Sequence, residues 1–206
     1  MSLILIRHGE TALNAARILQ WPDTPLGERG FAQAQALAQH LARRQPAPAR
    51  LVTSDMTRAR QTAAAIAAAT GLPVIETELL RERHFGDLRG QPYDALGHDP
   101  ITDERAPPGG ESLADVRARA TAAFAWLLAQ RREAGGDLLV VSHGLFLRLL
   151  IAGHAGLAPG QEAPHRLSNT SVSVLAAEPP HALLSLDDTA HLSGTLHDDG
   201  RGVAGV

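Results

Sequence analysis

The sequence contains neither cysteine nor lysine, and these two absences exclude several kinds of catalytic site. Without cysteine, the chain has no disulfide, no thiolate nucleophile and no cysteine-ligated zinc. Without lysine, it has no lysine Schiff base and no P-loop lysine. All 19 basic residues are arginines, so we expect a bound anion to be held by arginine, histidine, backbone N–H groups or helix N-termini.

Long apolar runs and an excess of positive charge are also missing. The chain has no stretch of about eighteen or more apolar residues, and "MSLILI" at the N-terminus is too short for a secretory signal. We therefore expect no membrane partner and a cytoplasmic location. The formal net charge is −3 and charged residues make up 20% of the chain, which argues against a nucleic-acid partner.

Apolar segments of strand length alternate with longer segments of helical periodicity. Strands are predicted over 3–6, 50–54, 72–76, 137–143, 171–177 and 181–186, and helices over 28–44, 57–70, 112–132 and just after Gly144. This alternation predicts an α/β fold: a three-layer α/β/α sandwich with a mostly parallel central sheet of about six strands and helices on both faces. We predict a single domain over 1–206, with a mobile tail at 200–206.

Chemically capable side chains follow four of the predicted strands. In strand order these residues are Arg7 and His8; Ser54, Asp55 and Arg58; Glu82; and Ser142, His143 and Gly144. Ligands of open α/β sheets bind at the carboxyl ends of the strands, so we expect these residues to converge on one edge. Each residue alone would be assigned to a surface turn or a solvated helix, but four strand ends together favour a site.

Two histidines, two arginines and a glutamate suit phosphoryl transfer. Arginine binds phosphate through two parallel hydrogen bonds, and a helix N-terminus after Gly144 would add N–H donors. A neutral imidazole is a nucleophile, and nearby arginines should keep His8 unprotonated. A carboxyl group such as Glu82 can protonate the leaving alkoxide. We expect no metal, because the cations neutralise the phosphate and the sequence has no aspartate-rich cluster.

Gly9 directly follows Arg7 and His8. In a straight strand these two side chains would point to opposite faces of the sheet. We therefore expect Gly9 to allow a sharp turn of the backbone that brings both side chains into one site.

Short motifs that contain these residues recur along nearly the whole chain. They are "LIRHGETALN" (5–14), "DTPLGERGFAQAQALA" (23–38), "SDMTRARQTA" (54–63), "ERHFGDLRG" (82–90), "PGGES" (108–112), "VVSHG" (140–144), "NTSVSVL" (169–175) and "DDTAHL" (187–192). In order and spacing this series resembles the histidine phosphatase superfamily, which includes the cofactor-dependent phosphoglycerate mutases.

The resemblance implies a role for each matched residue. His8 would be the nucleophile that becomes phosphohistidine, Glu82 the proton donor that later activates water, and His143 the residue that stabilises the transition state. The phosphoryl group would be bound by Arg7, Arg58 and Asn14, with Thr11 and the N–H of Gly144 as secondary candidates. No cofactor and no metal are expected.

The same pocket serves phosphatases and mutases in this family, and the departures of this sequence favour the phosphatase branch. Family mutases tend to be longer and carry an insertion with paired arginines and a lysine. Here the segment between Gly90 and Gly110 is short, and lysine is absent. The threonine-glycine that precedes the tryptophan in mutases is Leu19-Gln20 before Trp21. In contrast, "ERHFG" resembles the mutase acid segment.

The sequence therefore predicts a metal-independent phosphomonoester hydrolase that acts through phosphohistidine and releases inorganic phosphate. Its substrate would be a small metabolite: a sugar phosphate, a phosphoglycerate, a nucleotide or α-ribazole phosphate. A cofactor-dependent phosphoglycerate mutase is the alternative, followed by a phosphoprotein phosphatase or a non-catalytic phosphate-binding module. Substrate choice should depend on the loops at 15–25 and 85–111, and the sequence indicates no oligomeric state.

Overall fold

One mixed sheet of six strands forms the centre of the computed structural model, which describes residues 1–196. The strands are β1 (Ser2–Arg7), β2 (Arg50–Ser54), β3 (Val74–Thr77), β4 (Leu138–Ser142), β5 (Val172–Ala176) and β6 (Leu183–Asp188). Their spatial order is β3-β2-β4-β1-β5-β6. The first four strands in this order are parallel to one another, β5 pairs antiparallel with β1, and β6 pairs antiparallel with β5.

Helices cover both faces of this sheet. They are α1 (Ala12–Ala15), α2 (Glu28–Ala42), α3 (Thr57–Thr70), α4 (Leu113–Ala134) and α5 (Gly144–His154). Helices α2 and α3 pack on one face, and α4 and α5 pack on the other. The predicted three-layer α/β/α arrangement with about six strands is confirmed. The predicted tail at 200–206 lies outside the described residues, and the single domain over 1–206 stays a prediction.

The central strands are apolar on both faces because both faces are covered. In β1, Leu3 and Leu5 pack toward α4 and α5, whereas Ile4 and Ile6 pack toward α2 and α3. All four side chains are at most 1% exposed. An uninterrupted apolar strand of this kind is typical of a parallel sheet that is buried on both sides. The polar residues that follow it therefore begin where the buried core ends.

The topology places three strand ends side by side. The chain passes from β1 through α2 to β2, and later inserts β4 between these two strands. Arg7 at the end of β1 is paired with Ser142 at the end of β4, and Thr53 near the end of β2 is paired with Val141. The carboxyl ends of β1, β4 and β2 thus form one continuous edge, where α/β proteins bind ligands.

The backbone after β1 lies against the first turn of α2. A Cβ atom on Gly9 would lie 2.6 Å from the carbonyl oxygen of Gly30, and one on Gly30 would lie 2.0 Å from that of Glu10. Gly9 does not have a positive φ, so the left-handed conformation is not what requires glycine here, and the sharp turn expected at Gly9 stays a prediction. A side chain at position 9 would clash with the backbone of α2, so glycine is required here. The close contact fixes the backbone next to His8.

Membrane insertion finds no support in the described part of the chain. Across residues 1–196, no helix has both the length and the hydropathy that are required to cross a bilayer.

The contact between Gly30 and Glu10 predicts a strong effect of one methyl group. Gly30→Ala should lower the free energy of unfolding by about 1–3 kcal/mol, because the backbone must shift to admit the Cβ atom. Gly153→Ala is the matched control, since Gly153 is also helical but has open space around it. This control should gain up to about 1 kcal/mol from helix propensity. Urea denaturation of both variants tests the pair, and equal effects would contradict the packing argument.

Candidate active site

A buried cluster of charged and titratable side chains lies at the carboxyl ends of β1, β2 and β4. Its members are Arg7, His8, Arg58, Glu82 and His143, and each of them is at most 2% exposed. Arg7 is the last residue of β1, His143 follows β4, and Arg58 lies in the first turn of α3. Glu82 follows the 3₁₀ turn Glu78–Leu80. The structure therefore brings together five of the residues predicted from the strand ends. Asp55 instead pairs with Arg81, and the Ser142 hydroxyl donates to the carbonyl oxygen of Leu80.

The imidazole ring of His8 is held in one orientation by two contacts. Its Nδ1 lies 2.7 Å from the carbonyl oxygen of Gly9, and its Nε2 lies 3.2 Å from Nε of Arg58. A carbonyl only accepts a hydrogen bond and a guanidinium only donates one. Nδ1 therefore carries the proton, and Nε2 presents its lone pair. This geometry makes Nε2 the nucleophilic atom of the ring.

The surroundings of His8 keep the ring neutral. Burial has the largest effect and lowers the pKa of His8 well below its usual value. The guanidinium groups of Arg58 and Arg7 lower this pKa further, against the opposing effect of the hydrogen bond to Gly9. A neutral His8 retains its lone pair at physiological pH and through mild acidification.

His143 faces His8 across the cluster. The two ring centroids are 5.1 Å apart, and the ring planes meet at 59°. Nε2 of His143 lies 2.9 Å from Oγ of Ser54, whereas its Nδ1 is buried without a hydrogen-bond partner in the described residues 1–196. Burial, followed by the nearby Arg58 and His8, lowers the pKa of His143. An unpartnered buried nitrogen is costly, so Nδ1 is a natural contact for a bound anion.

Arg58 connects the nucleophile to the loop before α2. Its Nη1 donates to the carbonyl oxygen of Trp21 at 3.0 Å, while its Nε contacts His8. Burial is the main cause that lowers the pKa of Arg58 to about 10, and the cations Arg7 and Arg89 add to this effect. The guanidinium is still charged near neutral pH. A desolvated cation therefore lies directly beside Nε2 of His8.

Glu82 binds the N-terminus of α5. Its Oε1 accepts hydrogen bonds from the N–H groups of Arg83 at 2.9 Å and Phe146 at 3.0 Å, and its Oε2 accepts one from Leu145 at 3.0 Å. Burial outweighs these contacts and the attraction of Arg58, so that the pKa of Glu82 is raised. A carboxyl group of this kind holds a proton closer to neutral pH, as an acid catalyst must.

Three further predicted residues lie next to this cluster. Thr11 and Asn14 form the capping box of α1, in which the Thr11 side chain accepts from the Asn14 N–H and the Asn14 side chain accepts from the Thr11 N–H. Gly144 is the first residue of α5, and its N–H has no hydrogen-bond partner within residues 1–196. The phosphate contacts predicted for all three residues stay predictions.

The segment that precedes β5 closes the cluster, and its role was not predicted. Arg7 donates through Nη1 to the carbonyl oxygen of Leu167 at 2.6 Å. Nδ2 of Asn169 donates to the carbonyl oxygen of His8 at 3.0 Å, and the N–H of Thr170 donates to that of Arg7 at 3.1 Å. These contacts hold the backbone of the Arg7–His8 pair. The only signal for them was the family motif "NTSVSVL".

Arg83 organises the loop at 99–111 and was also missed. Its guanidinium donates to four backbone carbonyl oxygens at 2.6–2.9 Å, those of Pro100, Asp103, Arg105 and Glu111. This side chain is only 2% exposed. In the sequence, Arg83 could not be distinguished from a surface arginine. In the structure it fixes the loop beside the adjacent Glu82.

A cleft of about 960 Å³ leads from the surface to Glu82. Two arginines and a histidine from the loop after β3, Arg81, Arg89 and His84, line it. Met56 and Pro22 line the side toward the loop before α2. The two histidines of the cluster are fully buried, whereas Glu82 belongs both to the buried cluster and to the lining of the open polar cleft.

Metal binding has no structural support in the described residues. Between residues 1 and 196, the structure contains no group of three or more histidine, aspartate or glutamate side chains that could hold a metal ion. The independence from metals that the sequence predicted stays a prediction.

Comparison with known proteins identifies the family. The family model of the histidine phosphatase superfamily, branch 1, matches residues 3–187. The chain belongs to the histidine phosphatase superfamily. The resemblance stated from the motifs is thereby confirmed, and the superfamily's activities make this chain a phosphoryl-transfer enzyme.

Superfamily relatives include both mutases and phosphatases. A Yersinia enterocolitica protein named "Probable phosphoglycerate mutase GpmB" is 36% identical over 97% of this chain and 98% of its own length. A mycobacterial glucosyl-3-phosphoglycerate phosphatase, solved with VO3, is 33% identical with a TM-score of 0.74, over 91% of this chain and 97% of that one. A phosphoglycerate mutase from Bacillus anthracis is 25% identical with a TM-score of 0.77, over 93% and 94% of the two chains.

The lowered pKa of His8 predicts a pH-dependent contribution to stability. Below about pH 6.5, His8 is protonated in the unfolded chain but stays neutral in the native chain. The free energy of unfolding therefore falls as the pH falls. His8→Asn removes this proton, and its free energy of unfolding should depend less steeply on pH, by up to about 1.4 kcal/mol per pH unit between pH 6.5 and 5.5.

Urea denaturation at pH 7.5, 6.5 and 5.5 measures this difference. His165→Asn removes an exposed histidine whose side chain is 90% accessible, and it is the matched control for the loss of a histidine. Parallel stability curves for wild type and His8→Asn would show that His8 is not held neutral.

Proposed function

We propose that this protein is a phosphomonoester hydrolase that acts through a phosphohistidine at His8. One observation carries the proposal: the Gly9 carbonyl accepts a hydrogen bond from Nδ1 of His8, so that the ring's lone pair lies on Nε2, which is 3.2 Å from Nε of a buried arginine, Arg58. Such a pair suits an incoming phosphoryl group, because nucleophile and cation are already in place and desolvated.

In the first step Nε2 of His8 attacks phosphorus and the bond from phosphorus to the alcohol oxygen breaks. Arg58, Arg7 and Nδ1 of His143 bind the phosphoryl oxygens, assisted by Asn14, with Thr11 and the Gly144 N–H as secondary contacts. The carboxyl group of Glu82 gives its proton to the departing alkoxide. The Gly9 carbonyl stabilises the positive charge that the ring acquires through its hydrogen bond from Nδ1.

In the second step a water molecule enters from the cleft. The Glu82 carboxylate accepts a proton from this water as its oxygen attacks phosphorus, and the bond between phosphorus and Nε2 breaks. Inorganic phosphate leaves, His8 is again neutral and Glu82 again carries a proton. No step in this sequence calls for a metal ion.

Hydrolysis rather than mutase activity is supported by the sequence and by one relative. The chain lacks lysine and has a short segment between Gly90 and Gly110. The mycobacterial relative is named as a phosphatase of glucosyl-3-phosphoglycerate, and it has also been solved with inorganic phosphate. The substrate class that follows is a small phosphorylated metabolite.

A cofactor-dependent phosphoglycerate mutase is the second candidate. The observation that favours it is the name carried by the Yersinia relative, at 36% identity over almost the full length of both proteins. Incubation with 3-phosphoglycerate, with and without 2,3-bisphosphoglycerate as primer, separates the two activities. A hydrolase releases inorganic phosphate, whereas a mutase forms 2-phosphoglycerate faster than it releases phosphate.

Replacement of Glu82 should make the rate of hydrolysis depend on the leaving group. In Glu82→Gln the loss of rate should reach about 10²–10⁴-fold for alkyl phosphates, whose alkoxide needs a proton to leave. With p-nitrophenyl phosphate the first step should survive, because p-nitrophenolate leaves unprotonated, and the slow second step should then give a burst of one p-nitrophenolate per active site. Stopped-flow absorbance with EDTA present measures this burst.

Two results would contradict the proposal. One is turnover that is equal in wild type and His8→Asn, which would mean that His8 is not the nucleophile. The other is an equal loss in Glu82→Gln for alkyl and p-nitrophenyl phosphates without a burst, which would mean that Glu82 does not protonate the leaving group.

A further inference from the structure

The charges that line the cleft in front of Glu82 are matched in pairs, with one exception. Each of the other carboxylates in the lining has an arginine partner: Glu76 pairs with Arg60, Glu78 with Arg81, and Glu111 with Arg119. Arg81 also binds Asp55. Two of the three arginines in the lining are thereby neutralised.

The third arginine in the lining, Arg89, is the exception. Within the part of the chain that the structure describes, its guanidinium has no carboxylate at ion-pair distance. It is half-buried. Burial, followed by the Arg81 guanidinium, lowers the pKa of Arg89, against the opposing effect of the Glu111 carboxylate, which is not at ion-pair distance. Desolvation and like charge both raise the free energy of such a cation, and an anionic ligand would offset this cost.

The backbone around Arg89 is fixed relative to the catalytic cluster. The next residue, Gly90, has a φ of +81°, and a Cβ atom there would lie 2.0 Å from the ring of Trp21. The N–H of Gly90 donates to the carbonyl oxygen of Leu19 at 2.8 Å. The carbonyl oxygen of Trp21 in turn accepts from Arg58. The loops at 15–25 and 85–111 are therefore joined, and they hold Arg89 at the cleft.

We propose that Arg89 binds a second anionic group of the substrate, a carboxylate or phosphate separate from the phosphoryl group that reacts at His8. This inference rests on the proposed function, because it places the reacting phosphoryl group in the buried cluster and the rest of the substrate in the cleft. Arg89 then selects phosphomonoesters that carry a further negative charge over those that end in a hydroxyl group.

The position of Arg89 distinguishes this role from binding of the reacting group. The cleft meets the buried cluster at Glu82, the group proposed to protonate the leaving oxygen. A cation in the lining of this cleft faces the alcohol part of the ester. A planar guanidinium binds a carboxylate or phosphate in two parallel hydrogen bonds.

Equilibrium binding to a non-reacting protein tests the assignment independently of turnover. Isothermal titration calorimetry compares His8→Asn with His8→Asn/Arg89→Gln on two matched pairs of ligands. 3-Phosphoglycerate differs from glycerol 1-phosphate by a carboxylate in place of a hydroxymethyl group. Fructose 1,6-bisphosphate differs from fructose 6-phosphate by one phosphate. His8→Asn/Arg132→Gln is the control, because Arg132 is exposed on α4 and outside the cleft.

We expect His8→Asn to prefer the more anionic member of at least one pair, and Arg89→Gln to reduce this preference by about tenfold or more. The Arg132→Gln control should keep it. No preference in His8→Asn, or a preference that Arg89→Gln leaves intact, would overturn the assignment. Failure of the proposed function would appear elsewhere, as absent turnover of every ester by the wild type, and binding would still decide the role of Arg89.

Discussion

The exclusion of water from two neutral histidines among arginines is the constraint on which the rest of the structure depends. His8 and His143 are fully buried beside Arg7 and Arg58, and burial is the largest cause of their lowered pKa values. Tight packing around the two histidines and two arginines is required to keep these polar groups buried. The apolar strands β1 and β4, and the contact of Gly9 and Gly30, supply that packing. The lowered pKa of His8, and with it a neutral imidazole, follows from this burial.

Glu82 stands between this dry cluster and the open cleft, and the fold gives it opposing influences. Burial raises its pKa, while three backbone N–H groups and the Arg58 guanidinium favour its charged form. A carboxyl group balanced in this way can give up a proton and regain it within one reaction cycle. Arg83, next in the chain, fixes the loop at 99–111. The backbone of Glu82 and the part of this loop that lines the cleft are therefore held by the same side chain.

Local sequence signals predicted the helices and strands well, and with them the cluster of Arg7, His8, Arg58, Glu82 and His143. Arg7, His8 and His143 lie at the ends of recognisable strands and Arg58 lies in the first turn of a helix, whereas Glu82 follows β3 only after a 3₁₀ turn. The contacts that hold the cluster join residues far apart in the chain, such as Asn169 with His8, and no local pattern reveals them. The close approach of Gly9 to Gly30 in α2 is another such long-range contact, and it was not predicted. That Arg89 has no carboxylate at ion-pair distance among the described residues likewise emerges only from the folded cleft.

The position of the phosphoryl group on His8 tests the central claim most directly. Rapid quenching of Glu82→Gln with p-nitrophenyl phosphate in alkali should trap the phosphoenzyme, and phosphorus NMR distinguishes the two isomers of phosphohistidine. The hydrogen bond from Nδ1 to Gly9 places the ring proton on Nδ1, so the lone pair that can attack phosphorus is the one on Nε2. The account therefore predicts phosphorylation of His8 at Nε2 alone. Phosphorylation at Nδ1, or at a residue other than His8, would contradict it.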